Sequence, residues 1–149
     1  MARHAPDRKD IMADEAGSWN DKIIEEFHAN AGKVGGPFED QVLVLLTMVG
    51  AKTGEKRTTP LVSTRDGDRI IIAASAGGAD KHPAWYRNVV ANPEVTVEIG
   101  TDKFEATATE ITDRAERDRL YAGMVAAMPG FAEYETKTDR LIPVIALAR

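Results

Sequence analysis

The 149-residue chain contains no cysteine. A disulfide framework, a thiolate metal site and a cysteine nucleophile are therefore excluded, and the composition suits a reducing compartment. Long hydrophobic runs are also missing: no stretch is apolar enough for long enough to cross a bilayer, so no stable membrane insertion is expected. The opening residues MARHAPDRKD lack the apolar stretch of a secretory signal, which makes the cytoplasm the expected location. Positive charge is in deficit, with 19 Lys and Arg against 24 Asp and Glu, a formal net charge of -5. A broad nucleic-acid surface needs clustered cations to displace counterions, so no nucleic-acid partner is expected.

Several motifs are missing as well. GAKTG, at residues 50–54, resembles a phosphate-binding P-loop only superficially. That motif needs glycine directly before Lys52, where Ala51 stands, and another at the position of Leu46. No G-x-G-x-x-G follows a predicted strand, which leaves a nicotinamide-binding unit without support. His4, His28 and His82 are not spaced as ligands, so no metal is expected. No serine occupies a nucleophile elbow, which argues against hydrolysis.

What is present is an ordinary globular composition, 43% hydrophobic and 29% charged, at a length that suits one core. Residues 1 to 17 are polar and aperiodic and read as a flexible leader, with a single domain over 18 to 149. Trp19, Ile23, Ile24 and Phe27 recur at three- and four-residue spacing, which predicts an amphipathic helix. Its polar face is acidic, so packing over the domain is expected and a position peripheral to a membrane is the alternative.

QVLVLLTM, residues 41–48, is continuously apolar and reads as a strand buried on both faces. Residues 50–57 form a polar connection to TTPLVST, and Asp66-Gly67 turns the chain into RIIIAAS. A short helix, PAWYRNVVA, interrupts the strands and ends at Asn92-Pro93. Alternation in VTVEIG and around Phe104, Ala106 and Ala108 predicts a half-buried hairpin. Asp113 and Glu116 have capping-box spacing before a helix with a stripe of Leu120, Tyr121, Met124, Val125 and Met128. FAEYETKTDR reads as a short helix or turn, and IPVIALA as the last strand. Six or seven strands joined mainly by hairpins, with helices at the start, middle and near the end, predict an α+β domain on an antiparallel sheet. Closing that sheet into a barrel removes its edges.

One chemical feature stands out, a cluster of Lys52, Lys56 and Arg57 in an acidic protein, to which Lys81 and Arg87 can be added. By local sequence these are either solvated turn residues or an anion site. Trp85 and Tyr86 read either as the buried face of a short helix or as a wall for a planar ring. Met128, Phe131 and Tyr134 read either as packing or as the lining of an apolar pocket.

Taken together, LVLLTMVGAKTGEKRTTPLV, AASAGGADKHPAWYRNVVANPEVTVEIG and TDRLIPVIAL resemble the deazaflavin-dependent nitroreductase family, which uses coenzyme F420. The resemblance runs from about Gly35 to the C-terminus and is most specific in KHPAWYRNVVANPEVTVEIG. It implies a split β-barrel of the FMN-binding type, with an N-terminal helix, a short crossover helix and a C-terminal helical segment. It implies that Ala51, Lys52, Thr53, Gly54, Glu55, Lys56 and Arg57 cradle the cofactor's phosphate and polyglutamate tail. By the same carry-over, Ala73, Ala74, Ser75 and Ala76, with Ala84, Trp85, Tyr86, Arg87 and Asn88, line the deazaflavin ring.

Met128, Phe131 and Tyr134 match the acceptor side of the site. The first two stand where nitroimidazole-activating members carry tyrosines, so that activation is not expected. Ala51 and Ala76 stand where members can carry a basic residue, which removes two tail contacts. The implied activity is F420H2-dependent hydride transfer to a small electron-poor acceptor such as a quinone, an enone or a nitro compound. Ser75 and Tyr134 are the candidate catalytic residues, their hydroxyls donating to the acceptor or ordering a water. The alternatives are an FMN-binding barrel and a non-enzymatic carrier of an apolar ligand. The resemblance leaves a homodimer open.

Overall fold

The computed structural model describes residues 20–35 and 41–149. The expected leader and Trp19 lie outside the described residues. Helix α1 covers residues 20–29, and its Ile23 and Phe27, one turn apart, are buried together with Val34 against Leu43 and Leu45.

Leu43 and Leu45 belong to β1 (Val42–Val49), whose alternate residues Val44, Leu46 and Met48 point the other way, into the barrel core. The unbroken apolar run is thus explained: side chains alternate across a strand, and here both faces are covered. Burying each such aliphatic side chain contributes about 1.5–3 kcal/mol.

The remaining elements are β2 (Lys56–Asp66), β3 (Arg69–Ala73), α2 (Ala84–Ala91), β4 (Glu94–Ile99), β5 (Asp102–Glu110), α3 (Arg114–Ala127), α4 (Gly130–Lys137) and β6 (Val144–Ala148). The six strands form a closed barrel in the order β1-β2-β3-β6-β5-β4, with every neighbouring pair antiparallel. Pairing of β1 with β4, Leu46 opposite Val97, closes it. Gly67 turns β2 into β3 with φ +61°, a conformation that suits glycine. β2 pairs with β3 only over Thr64–Asp66, so its first part is paired on one side alone. Pro60, which has no N–H to donate, falls in that one-sided stretch.

A second core forms outside the barrel. Ile71, Val144 and Ala146 on the outer faces of β3 and β6 are covered by Leu120, Tyr121 and Met124 of α3 and Phe131 of α4. Asp113 caps α3 by accepting the Glu116 N–H at 3.0 Å. The Glu116 carboxylate does not return to the cap as a capping box requires; it accepts from Arg69 at 2.9 Å instead.

Several boundaries differ from the sequence reading: β6 starts at Val144 rather than Ile142, α4 ends at Lys137, and two more lie beside the site. Lys56 and Arg57, expected in the connection, open β2, opposite Val49 and Met48. The strand expected to reach Ser75 ends at Ala73, because the chain there leaves the sheet in a 3-10 turn, Ala76–Gly78.

Candidate active site

The loop between β1 and β2 is a tight turn. The Gly50 N–H donates to Glu55 O at 2.7 Å and the Gly54 N–H to Gly50 O at 3.0 Å. A Cβ at Gly50 would lie 2.9 Å from Thr53 Oγ1 and 3.3 Å from the Glu55 carbonyl, so a larger residue there would displace the Thr53 side chain and press on the turn. The loop is tied to α2 by the Ala51 N–H, which donates to Asn88 Oδ1 at 2.9 Å.

Between them lies a cavity of about 350 Å³ lined by Gly50, Ala51, Lys52, Thr53, Arg57, Ala84, Arg87 and Asn88. Three cations therefore converge from the loop, from β2 and from α2. Alternation along β2 sends Arg57 toward the cavity, whereas Lys56, although exposed, does not line it. Among the described residues Arg57 pairs with Glu55 alone, at 3.7 Å, with side chains 58% and 72% exposed. An ion pair that open contributes little, so the guanidinium is available to an anionic ligand. Glu55→Gln is expected to tighten an anion there about twofold, a change that titration at low salt detects.

The segment after β3 meets α2 through the barrel core, where Ala74 and Val89 share one apolar cluster. Ala73 is buried in the outer core and Ala74, 0% exposed, in the barrel core, so neither offers side-chain surface to a ligand. Ser75 is nearly buried and makes no side-chain bond to the turn that follows it. Ala76 is exposed and takes φ +49°, a left-handed conformation that alanine avoids by roughly 1–2 kcal/mol.

Trp85 and Tyr86 pack half-buried against the barrel core. The Tyr86 phenol donates to Glu110 Oε1; burial first, then that bond, pushes its pKa up to about 12. The His82 ring lies 4.5 Å from that of Tyr86.

On the far side of the turn, α4 packs against Gly78, where a Cβ would stand 3.0 Å from Lys137 side-chain atoms and 3.1 Å from Tyr134 O. Tyr134 and Met128 are half-buried at this border. Phe131, by contrast, is 5% exposed and edge-on to both Tyr121 and Tyr134, which makes it a core residue rather than a lining one. Of the sequence-predicted residues, Ala51, Lys52, Thr53, Arg57, Ala84, Arg87 and Asn88 line the cavity, and Tyr134 packs beside the Ser75–Gly78 turn. Lys56, Ala73, Ala74 and Phe131 do neither. A larger cavity of about 720 Å³, between α1 and the start of β1, contains none of them.

Sequence reasoning missed Arg140. It reaches back from the segment before β6 to the carbonyls of Ala74, Ser75 and Ala79 and to His82. No periodicity marks such a residue; only its place in TDRLIPVIAL hinted at it.

A closed antiparallel barrel of this strand order, with a cationic cavity at one rim beside an aromatic helix, defines a split-barrel protein equipped for an anionic cofactor. The chain belongs to the F420H(2)-dependent quinone reductase family, whose profile matches residues 19–149. It is 38% identical over 111 residues to the F420H(2)-dependent quinone reductase Rv1261c of Mycobacterium tuberculosis, covering 71% of this chain and 72% of that protein. Among solved structures it resembles the F420-H2 dependent reductase FDR-A, with 45% identity, a TM-score of 0.65, and 70% of this chain and 92% of that one covered. A chain solved as a domain-swapped dimer shares 40% identity and a TM-score of 0.68, covering 88% of this chain and 98% of that one. HutZ, the heme storage protein of Vibrio cholerae, at 14% identity and a TM-score of 0.54, with 84% and 86% covered, shares the fold alone. The deazaflavin-dependent membership expected from the sequence holds, with coenzyme F420 as the cofactor of the family and a quinone as the acceptor in its name.

Proposed function

We propose that the protein reduces a quinone with F420H2, holding the cofactor's charged tail in the cavity of Lys52, Arg57 and Arg87 and its ring along Ser75, Ala76 and Trp85. The observation that carries the reading is that cavity, where three cations converge in a chain of net charge -5. A tail with several negative charges matches this donor set better than the single phosphate of FMN. The barrel interior is packed with side chains, so nothing there favours an apolar-ligand carrier.

Bound F420H2 supplies the hydride. The chain's own contribution is to bind, orient and exclude water. Arg57 and Arg87 offer planar forks to phosphate or carboxylate, and Lys52 adds a point charge. Asn88 fixes the loop to α2 through Ala51. Trp85 packs the site against the barrel, and the Ser75 and Tyr134 hydroxyls would donate hydrogen bonds to the acceptor oxygen as negative charge develops on it.

Fluorescence titration with oxidised F420, with FMN in parallel at the same salt, tests the reading. Binding on the order of micromolar for F420 alone, about -8 kcal/mol, supports it; binding of FMN alone, or of neither, removes it. Tyr134→Phe is expected to lower kcat for a quinone about tenfold or more, with F420 affinity unchanged; equal kcat in wild type and variant would take Tyr134 out of the reaction.

Self-association of two copies is part of the proposal, supported by the relative solved as a domain-swapped dimer. Light scattering on the purified chain checks it. No helix among the described residues is long and apolar enough to cross a membrane. The apolar face of α1 is already used against β1, and the proposed location is the cytoplasm.

A further inference from the structure

We propose that Arg140 is a positioning residue, a clamp that holds the Ala74–Ala79 segment in the shape that presents Ser75 and Ala76, and that it grips fully only while His82 is neutral. The proposal rests on the reading that this segment borders the cofactor ring.

The segment has little of its own to hold it. Beyond Ala74, whose N–H still donates to Pro143 O at 2.9 Å, it has left the sheet; its Ala76, Gly77 and Gly78 all have positive φ, and its internal backbone bonds are Gly78 N–H to Ser75 O at 2.9 Å and Ala79 N–H to Ala76 O at 3.2 Å. Arg140 supplies what is lacking. Its Nε donates to Ala79 O at 2.8 Å, one terminal nitrogen to Ser75 O at 2.8 Å, and the other to Ala74 O at 3.2 Å. One planar group thus gathers three carbonyls of a six-residue segment more than sixty residues away in sequence. A lysine, with a single nitrogen at the end of a flexible stem, cannot reproduce that fork.

The nitrogen bound to Ala74 O also lies 3.0 Å from His82 Nδ1. A guanidinium has donors and no acceptor, so His82 Nδ1 accepts and the ring is neutral with its proton on Nε2. Protonation would set N–H against N–H and a second positive charge beside Arg140. The groups acting on His82 are Arg140, Arg87 and the Glu110 carboxylate, with the Tyr86 ring stacked on it. Only Glu110 favours the charged ring, and it also accepts the Tyr86 phenol. Burial first, then the charge of Arg140, holds His82 below its usual value of 6.5. The clamp is therefore complete at neutral pH and loosens as pH falls through that lowered value.

The test compares wild type, Arg140→Ala, Arg140→Lys and His82→Asn, the last keeping an oxygen that accepts from Arg140 at every pH. Hydrogen exchange in the cofactor-free proteins at pH 7 is expected to be at least about tenfold faster over residues 74–79 in both Arg140 variants, with the barrel strands unchanged. Quinone reduction is expected to lose about tenfold or more in kcat in both, with F420 affinity within about threefold, because the tail is held elsewhere. The kcat of wild type is expected to fall on acidification with a midpoint below 6.5, and His82→Asn to lack that acid limb. Unchanged exchange and kcat in the Arg140 variants, rescue by lysine, or the same acid limb in His82→Asn as in wild type would overturn the clamp. Failure of wild type to bind F420 overturns the functional reading, and the clamp's role in catalysis with it.

Discussion

Arg57→Ala is expected to weaken F420 binding by about 10- to 100-fold, with kcat at saturating cofactor nearly unchanged. Arg57 lines the cavity, is more than half exposed, and among the described residues has only the distant Glu55 carboxylate as a competitor. A charge-assisted bond from a guanidinium to an anion contributes about 1.5–3 kcal/mol, and 1.4 kcal/mol is a factor of ten in affinity. Salt sharpens the test. Raising ionic strength from about 0.1 to 1 M shortens the screening length from about 10 to 3 Å, so wild-type affinity should fall steeply and that of the variant less. Fluorescence titration at both salts measures it. An unchanged Kd would move the tail away from this cavity, whereas a large loss of kcat at saturation would bring Arg57 into the chemistry.

The second large effect concerns stability. Arg117→Ala is expected to destabilise the fold by about 3 kcal/mol, about 10 °C in Tm for a domain of this size. Arg117 sits among the apolar residues of α3, yet its side chain is only 4% exposed. Nε and one terminal nitrogen donate to Ile142 O at 3.1 and 2.9 Å, and the other terminal nitrogen reaches Asp118 at 2.9 Å and Glu135 at 3.2 Å. Its guanidinium carbon lies 4.5 Å from the centre of the Tyr121 ring. One side chain thus joins α3, α4 and the approach to β6. Removing it leaves a buried carbonyl without a partner, at about 1–3 kcal/mol, and opens a void beside Tyr121. The two carboxylates are largely solvated and contribute little of this. Urea and thermal unfolding provide the measurement, and a loss under about 1 kcal/mol would show the helix pair to be held by apolar packing alone.

Arg117 also marks where the sequence stops being readable. The stripe of Leu120, Tyr121 and Met124 on α3 follows helical spacing and is buried as expected, but a charged residue on the same face carries no pattern that announces burial. The double burial of β1 was legible because an uninterrupted apolar strand needs cover on both faces. The half-formed capping box was legible only in part, since the destination of the Glu116 carboxylate depends on Arg69, far away in sequence. Lys52, Lys56 and Arg57 read alike as loop cations, and the two-residue period of β2 then separates Arg57, which lines the cavity, from Lys56, which does not.

By itself the sequence determined the local choices and the kinship: which stretches alternate as strands, where Gly67 turns the chain, where helices start, and which motifs mark the deazaflavin-dependent family. These follow from side-chain periodicity and backbone preference, which act over a few residues and leave a trace in the string. Tertiary structure alone decided the closure of β1 onto β4, the bond that ties Ala51 to Asn88, the burial of Phe131 and the reach of Arg140 to three carbonyls. Those depend on single polar groups meeting across more than thirty residues of chain, or on which face of a packed helix is left open. Such contacts are specified by geometry in space and have no period along the sequence.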